Sequence, residues 1–114
     1  MTLKREYRLR GKKEFDKIKK EGRLVQNPFF SLLILEKQED GPKFGFIVSK
    51  KIDKRAVVRN RIRRLLAEAC RQILPKMRKD VKIAFLPKQS LKQASLDDIL
   101  KSLRGNFGEF AEKK

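Results

Sequence analysis

The chain has 114 residues, with 31 Lys plus Arg against 14 Asp plus Glu and a formal charge of +17. Charged side chains make up 39% of it, well above the roughly 25% of ordinary soluble domains, so the expected partner is a large polyanion. The single Cys70 and the absence of His exclude an intrachain disulfide framework, the common zinc-ligand sets and any Ser-His or Cys-His catalytic pair. From the N-terminus, residues 1–11 are polar, basic and expected to be extended. Their lack of an apolar run argues against a secretory signal, and no run in the chain approaches the ~20 apolar residues of a membrane span. A cytoplasmic location and no membrane partner are therefore expected.

Gly11 and Gly22 bracket a short helix candidate in which Phe15 and Ile18 share one face. Gly22 fits the position after a helix end, where a positive φ is often needed. Asn27-Pro28 breaks the chain, and 29–35 reads as a strand. Phe30, Leu32 and Ile34 point to one side of it; Phe29, Ser31, Leu33 and Leu35 point to the other. Residues 37–43 read as a hairpin loop around Asp40-Gly41, which would pair 43–49 antiparallel with the preceding strand. Gly45 suggests a close approach or a bulge.

Asp53 is a candidate N-cap for the longest helix, 54–74. At 100° per residue, Val58, Ile62, Leu65, Leu66, Ala69 and Ile73 form its apolar sector. Asn60, Arg61, Arg63, Arg64 and Arg71 lie opposite, with Arg59 at the border. Cys70 lies near the apolar sector and reads as a buried small hydrophobe. Residues 80–87 alternate as another strand; beside an earlier strand it would make the long helix a crossover. Ser95 with Asp98 resembles a capping box opening a last helix with Leu96, Ile99, Leu100 and Leu103. Gly105 is a stop signal, Phe107 and Phe110 can still pack, and the end is expected to fray. The order suits one α+β domain, 1–114, with flexible ends expected at 1–10 and 108–114.

The stretch 50–64, KKIDKRAVVRNRIRR, carries eight basic residues and one acid, Asp53. Those residues are Lys50, Lys51, Lys54, Arg55, Arg59, Arg61, Arg63 and Arg64. A solvated helix face normally mixes signs at i,i+4 spacing, and this one does not. Arginine forks at helical spacing suit a phosphate backbone. No convergent set of acids or nucleophiles supports catalysis by the protein itself: Asp97-Asp98 diverge on a helix, and Glu39-Asp40 alone make no site.

The same stretch resembles the signature helix of the bacterial ribonuclease P protein component. The likeness runs through Ser49-Lys50-Lys51, Lys54-Arg55-Ala56 and Arg59-Asn60-Arg61-Ile62-Arg63-Arg64-Leu65. Leu9, Phe15, Ile18, Gly22, Phe30 and Gly45-Phe46-Ile47-Val48-Ser49 agree with the family's flanking elements, so the resemblance covers about residues 5–104. It implies an α-β-β-β-α-β-α sandwich with one mixed sheet and a left-handed βαβ crossover, where physical preference alone would choose a right-handed one. It implies a protein subunit of an endoribonuclease, partnered with a catalytic RNA and the 5′ leader of precursor tRNA rather than with DNA. It implies no cofactor in a dedicated protein site, with Mg²⁺ held by the RNA. Arg59, Asn60, Arg61, Arg63 and Arg64 carry over as RNA contacts, Lys50, Lys51, Lys54 and Arg55 as phosphate contacts, and Phe15, Ser31 and Leu33 as residues of a leader cleft. Some relatives have aromatics where this chain has Lys19 and Leu33, so leader recognition here is expected to lean on charge. For Phe15 the alternative is a core position. A structural RNA-binding protein of ribosomal type, without processing activity, is the other functional reading.

Overall fold

The computed structural model describes residues 3–111. Its elements are α1 (Gly11–Glu21), β1 (Arg23–Gln26), β2 (Phe30–Leu35), β3 (Lys43–Phe46), α2 (Ala56–Ile73), β4 (Lys82–Pro87), α3 (Leu96–Gly105) and the short α4 (Phe107–Phe110). One four-stranded mixed sheet has the order β1-β2-β4-β3. This is the α+β sandwich implied by the sequence, but the expected hairpin between β2 and β3 is absent. β4 lies between them, antiparallel to β2 and parallel to β3, so α2 is the crossover.

The reason lies in what each strand has to bury. Five of the six residues of β4 are buried, and a strand covered on both faces belongs at the centre of a sheet. Phe85 on β4 meets Phe30 of β2 at 5.2 Å and Phe46 of β3 at 5.6 Å between ring centroids. That three-ring contact needs β4 in the middle. The 36–42 segment crosses the start of β4 instead of turning tightly, with the Gln38 N–H donating to the Asp80 carbonyl at 2.9 Å.

The main core fills the space between the sheet and the two helices α2 and α3. It contains Phe30, Leu32, Ile34, Phe44, Ile83 and Phe85 from the strands, and Ile62, Leu66, Ala69, Cys70, Ile73, Ile99 and Leu103 from the helices. Cys70 is fully buried, and burial pushes its thiol well above the usual range. α3 opens on a complete capping box. The Asp98 N–H donates to Ser95 Oγ and the Ser95 N–H to Asp98 Oδ2, so the shorter Asp side chain suffices.

The N-terminal segment is not simply the extended chain expected of it. Arg5–Tyr7 forms a 3₁₀ turn, Leu3 and Leu9 are buried, and the Leu9 N–H donates to the Phe44 carbonyl at 2.8 Å. This strap covers the outer edge of β3, which would otherwise present unpaired backbone groups. At the other end Phe110 is buried and its carbonyl accepts from the Arg78 N–H. Of the end expected to fray, 111–114, Ala111 is bridged to Met77, and 112–114 lie outside the described residues.

Two glycines place α1. Gly22 has an extended φ of −69°, not the positive value anticipated. A Cβ there would fall 2.4 Å from the Ile18 carbonyl oxygen and 3.2 Å from Leu33 Cβ, so close approach of α1 to β2 explains it. At Gly45 a Cβ would lie 2.6 Å from Phe15 and 2.7 Å from Leu9. The missing side chain there is the seat of the Phe15 ring.

Candidate nucleic-acid interface

The basic stretch folds into a turn followed by the first half of α2. Asp53 does not cap the helix. Its Oδ1 accepts from the Arg55 N–H at 2.8 Å, an Asx turn that ends one residue before Ala56. Its carboxylate also takes the Arg55 fork, with Nε and Nη2 both at 3.0 Å, and Lys92 Nζ at 3.3 Å. The Arg55 side chain and backbone N–H hold Asp53 well below the usual carboxylate range. The one acid of the stretch is therefore spent on Arg55 and Lys92.

Arg59 folds back to donate to the Asp53 and Lys54 carbonyls at 2.9 and 2.8 Å. It steadies the turn and is half-buried. Arg61 reaches the Lys92 carbonyl at 3.1 Å. Asn60, Arg63 and Arg64 surround a shallow open depression of about 500 Å³ whose remaining wall is Val57, 70% exposed. Arg63 donates to Asn60 Oδ1 at 2.9 Å and more distantly to the Val48 carbonyl. Arg64, Lys50, Lys51 and Lys54 are exposed, and their side chains have no partner among the described residues.

So the nine basic-stretch residues separate by task. Asn60, Arg63 and Arg64 gather. Arg55 and Arg59 build the turn, while Arg61 ties α2 to the segment before α3. The first turn of α2 contains no acidic residue, so the positive end of the helix dipole adds to the cationic field. Val57 was missed because an apolar residue in a basic run attracts no notice, although its i+3 and i+7 relation to Asn60 and Arg64 places it on their line.

The second surface is the sheet face beneath α1. Leu9, Ile18, Leu35 and Ala84 form a small buried cluster there, and Phe15, Leu33 and Ile47 pack on it while remaining partly exposed. Phe15 is thus neither a core residue nor a free one. The register puts Leu24 opposite Leu33 and Gln26 opposite Ser31, with Leu86 on the other side of Ser31. Leu24 is 55% exposed. Phe15 packs on the face that carries Leu33 and Ser31, and Lys88 stands at the end of the Ser31–Gln26 row, its Nζ donating to Gln26 Oε1 and the Asn27 carbonyl.

An ionic cluster invisible in the sequence pins α1. Lys82 is only 7% exposed. Its ammonium lies 2.9 Å from Asp40 and 3.1 Å from Glu14, and Lys43 lies 3.3 and 3.5 Å from the same two carboxylates. Burial would depress the Lys82 pKa, but its hydrogen bonds to Asp40 and Glu14 raise it. The Lys82 hydrogen bond brings Asp40 down to about 2. Burial would raise Glu14, and the Arg10 N–H and Lys82 together pull it below its usual value. Depressed carboxylates stabilise the fold above their unfolded values near 4, and that stability is lost as pH falls through their folded values. The melting temperature is therefore expected to drop between about pH 4.5 and pH 2. Lys82→Met should flatten that drop, as read by thermal denaturation across the range. An equal slope in the variant would show that the cluster contributes nothing.

Among the described residues no group of three or more His, Cys, Asp or Glu converges in a way that could hold a metal ion. No helix among the described residues is long and apolar enough to cross a membrane.

The sequence and the fold have counterparts in known proteins. The Ribonuclease P family matches residues 3–111. The ribonuclease P protein component of Clostridioides difficile is 36% identical over 105 residues, 91% of each chain, and that of Exiguobacterium sp. is 37% identical over 101 residues, 87% of this chain and 88% of its own. Among solved structures, the RNase P protein from Thermotoga maritima superposes with a TM-score of 0.77 at 26% identity, covering 87% of this chain and 93% of that one. The one from Staphylococcus aureus does so with 0.73 at 28%, covering 100% and 98%. A family match that runs through the basic turn, α2 and the sheet face alike shows that the chain belongs to the ribonuclease P protein family.

Proposed function

We propose that this chain serves as the protein subunit of ribonuclease P, joining a catalytic RNA through α2 and the 5′ leader of precursor tRNA through the sheet face under α1. The observation that carries this is the α2 depression. Arg63 and Arg64 flank it beside Asn60, and the Arg64 side chain has no hydrogen-bond or ion-pair partner among the described residues. An Arg fork left unpaired on an exposed helix face is suited to phosphate oxygens. The protein contributes binding and orientation. Hydrolysis of the phosphodiester is assigned to the RNA and the Mg²⁺ it holds. Cytoplasmic residence accords with this role.

Phe15 supplies a ring face on which a leader base can stack, and Ser31 and Gln26 supply hydrogen-bonding groups along the same sheet row. The flexible backbone of a single strand would pass from there toward Lys88.

The test is a cleavage assay on precursor tRNA with the chain alone, with a ribonuclease P RNA alone at low Mg²⁺, and with both. Cleavage is expected to require the RNA and to be stimulated by the protein. Cleavage by the protein after exhaustive removal of RNA would overturn the assignment, and a complex that binds RNA without stimulating cleavage would favour a purely structural RNA-binding role. Affinity for the RNA should also fall by roughly a decade or more for each few-fold rise in salt, as condensed counterions are displaced from phosphates. A flat dependence in a filter-binding series would contradict a phosphate-gripping interface.

A further inference from the structure

At the opposite end of α2 from the Arg-Asn-Arg face is a second groove that the roles above leave unused. It is open, holds about 470 Å³, and is walled by Tyr7, Pro42, Leu74, Pro75, Met77 and Lys79. Helical rise alone puts Leu74 roughly 20 Å from Asn60, so one nucleotide cannot reach both.

We propose that this groove binds an unpaired nucleotide of RNA, with its base against Tyr7 and the prolines and its phosphate held by Lys79. The inference rests on the chain's RNA-binding role and extends it to a surface apart from α2 and from the sheet face under α1.

Three observations point to this occupant. The walls combine one aromatic ring, Tyr7, on which a base stacks without regard to sequence, with the apolar rings of Pro42 and Pro75, which can pack against the base's edge. The volume is of the size that holds one small planar ligand. Finally, the charge around it favours an anion. Lys4 and Arg5 stand beside Tyr7 in the same 3₁₀ turn, and Lys79 and Lys4 have no side-chain partner among the described residues. Of the neighbouring acids, Asp40 is committed to Lys82 and Lys43, and Asp80 lies 3.9 Å from Arg78, which leaves Glu6 against Lys4 and Lys79. A cationic continuation lies just along the strap, where Arg5, Arg8 and Arg10 line a separate depression of about 250 Å³. The Tyr7 hydroxyl makes no hydrogen bond to any described residue, so a ligand in the groove disturbs no existing contact of that group.

Tyr7 is the only tyrosine, and the chain has no tryptophan, which makes the groove readable on its own. The full chain carrying ¹³C-labelled tyrosine is titrated with a single-stranded twelve-residue oligoadenylate, with the Asn60 side-chain amide followed in parallel as a reporter on α2. The Tyr7 ring signals are expected to move upfield and saturate. Lys79→Glu should weaken that response several-fold without altering the melting temperature, because Lys79 is exposed. If the Asn60 signal moves and Tyr7 does not, the groove is not a nucleotide site and the inference fails while RNA binding through α2 stands. If neither moves, the groove is not a nucleotide site and the inference fails, while the cleavage assay above decides the RNA-binding role separately. Tyr7 signals that shift with protein concentration in the absence of RNA would show a groove used for self-association, which also overturns the proposal, as does unchanged binding by Lys79→Glu.

Discussion

Replacing Arg63 and Arg64 together by alanine should weaken assembly with the catalytic RNA by about 2–5 kcal/mol, with each charged hydrogen bond to phosphate worth about 1–3 kcal/mol and the neighbours not strictly additive. The two residues differ in what else they do. Arg64 is exposed and has no partner among the described residues, so Arg64→Ala should leave the melting temperature where it was. Arg63 also donates to Asn60 and to the Val48 carbonyl, so its loss loosens the junction of α2 with the end of β3. Arg59→Ala is the informative contrast. Its guanidinium holds two carbonyls of the preceding turn, and its removal should lower stability together with RNA affinity. Binding measured at fixed salt beside thermal melts separates these cases. Unchanged affinity in the Arg63, Arg64 double variant would remove α2 as the RNA face.

Phe15→Ala should separate precursor from mature tRNA. Stacking on an aromatic is worth about 1–3 kcal/mol per base, and only the precursor has a leader to stack. The holoenzyme should therefore bind the precursor up to about 100-fold more weakly, keep its affinity for mature tRNA, and assemble normally. Because Phe15 is half-buried on Gly45 and Leu9, some folding stability should also go, less than the ~3–5 kcal/mol of a fully buried Phe. Gly45→Ala tests the same geometry from below. Its Cβ would sit 2.6 Å from the Phe15 ring, so the ring must move while remaining present. Precursor binding should weaken there too. Equal losses for precursor and mature tRNA in both variants would place Phe15 in the fold and not in the leader site.

Much of this could be read from the order of residues because it is local. The i,i+3 and i,i+4 spacing from Val58 to Ile73 defines the buried stripe of α2, and the same spacing in reverse defines its basic face. The strand periods at 29–35 and 80–87 and the Ser95–Asp98 box depend only on near neighbours, and each appears in the structure at nearly the anticipated bounds. The Arg-Asn-Arg run is likewise contiguous, and it carried the family resemblance. The sheet face of Phe15, Ser31 and Leu33 was legible from alternation and resemblance together.

What tertiary structure alone decided is pairing across distance. Local turn signals at Asp40-Gly41 favoured a hairpin, yet a doubly buried β4 and its Phe85 contacts outweighed them, because burying apolar surface on both faces outweighs the convenience of a short loop. Asp53 looked like a cap, and the competing demand of Arg55 and Lys92 drew its carboxylate into a turn instead. The polar, basic start of the chain hid Leu3 and the burial of Leu9, which packs where the strap meets β3. Glu14, the pair Asp40 and Lys43, and Lys82 come from three separate stretches of sequence, and nothing in any one of them announces the cluster that holds α1, and with it Phe15, over the sheet. Sequence periodicity determines which face of an element is apolar. Which partner covers that face, and which charges become neighbours, depends on the summed packing of the whole domain, to which each residue contributes only a small part.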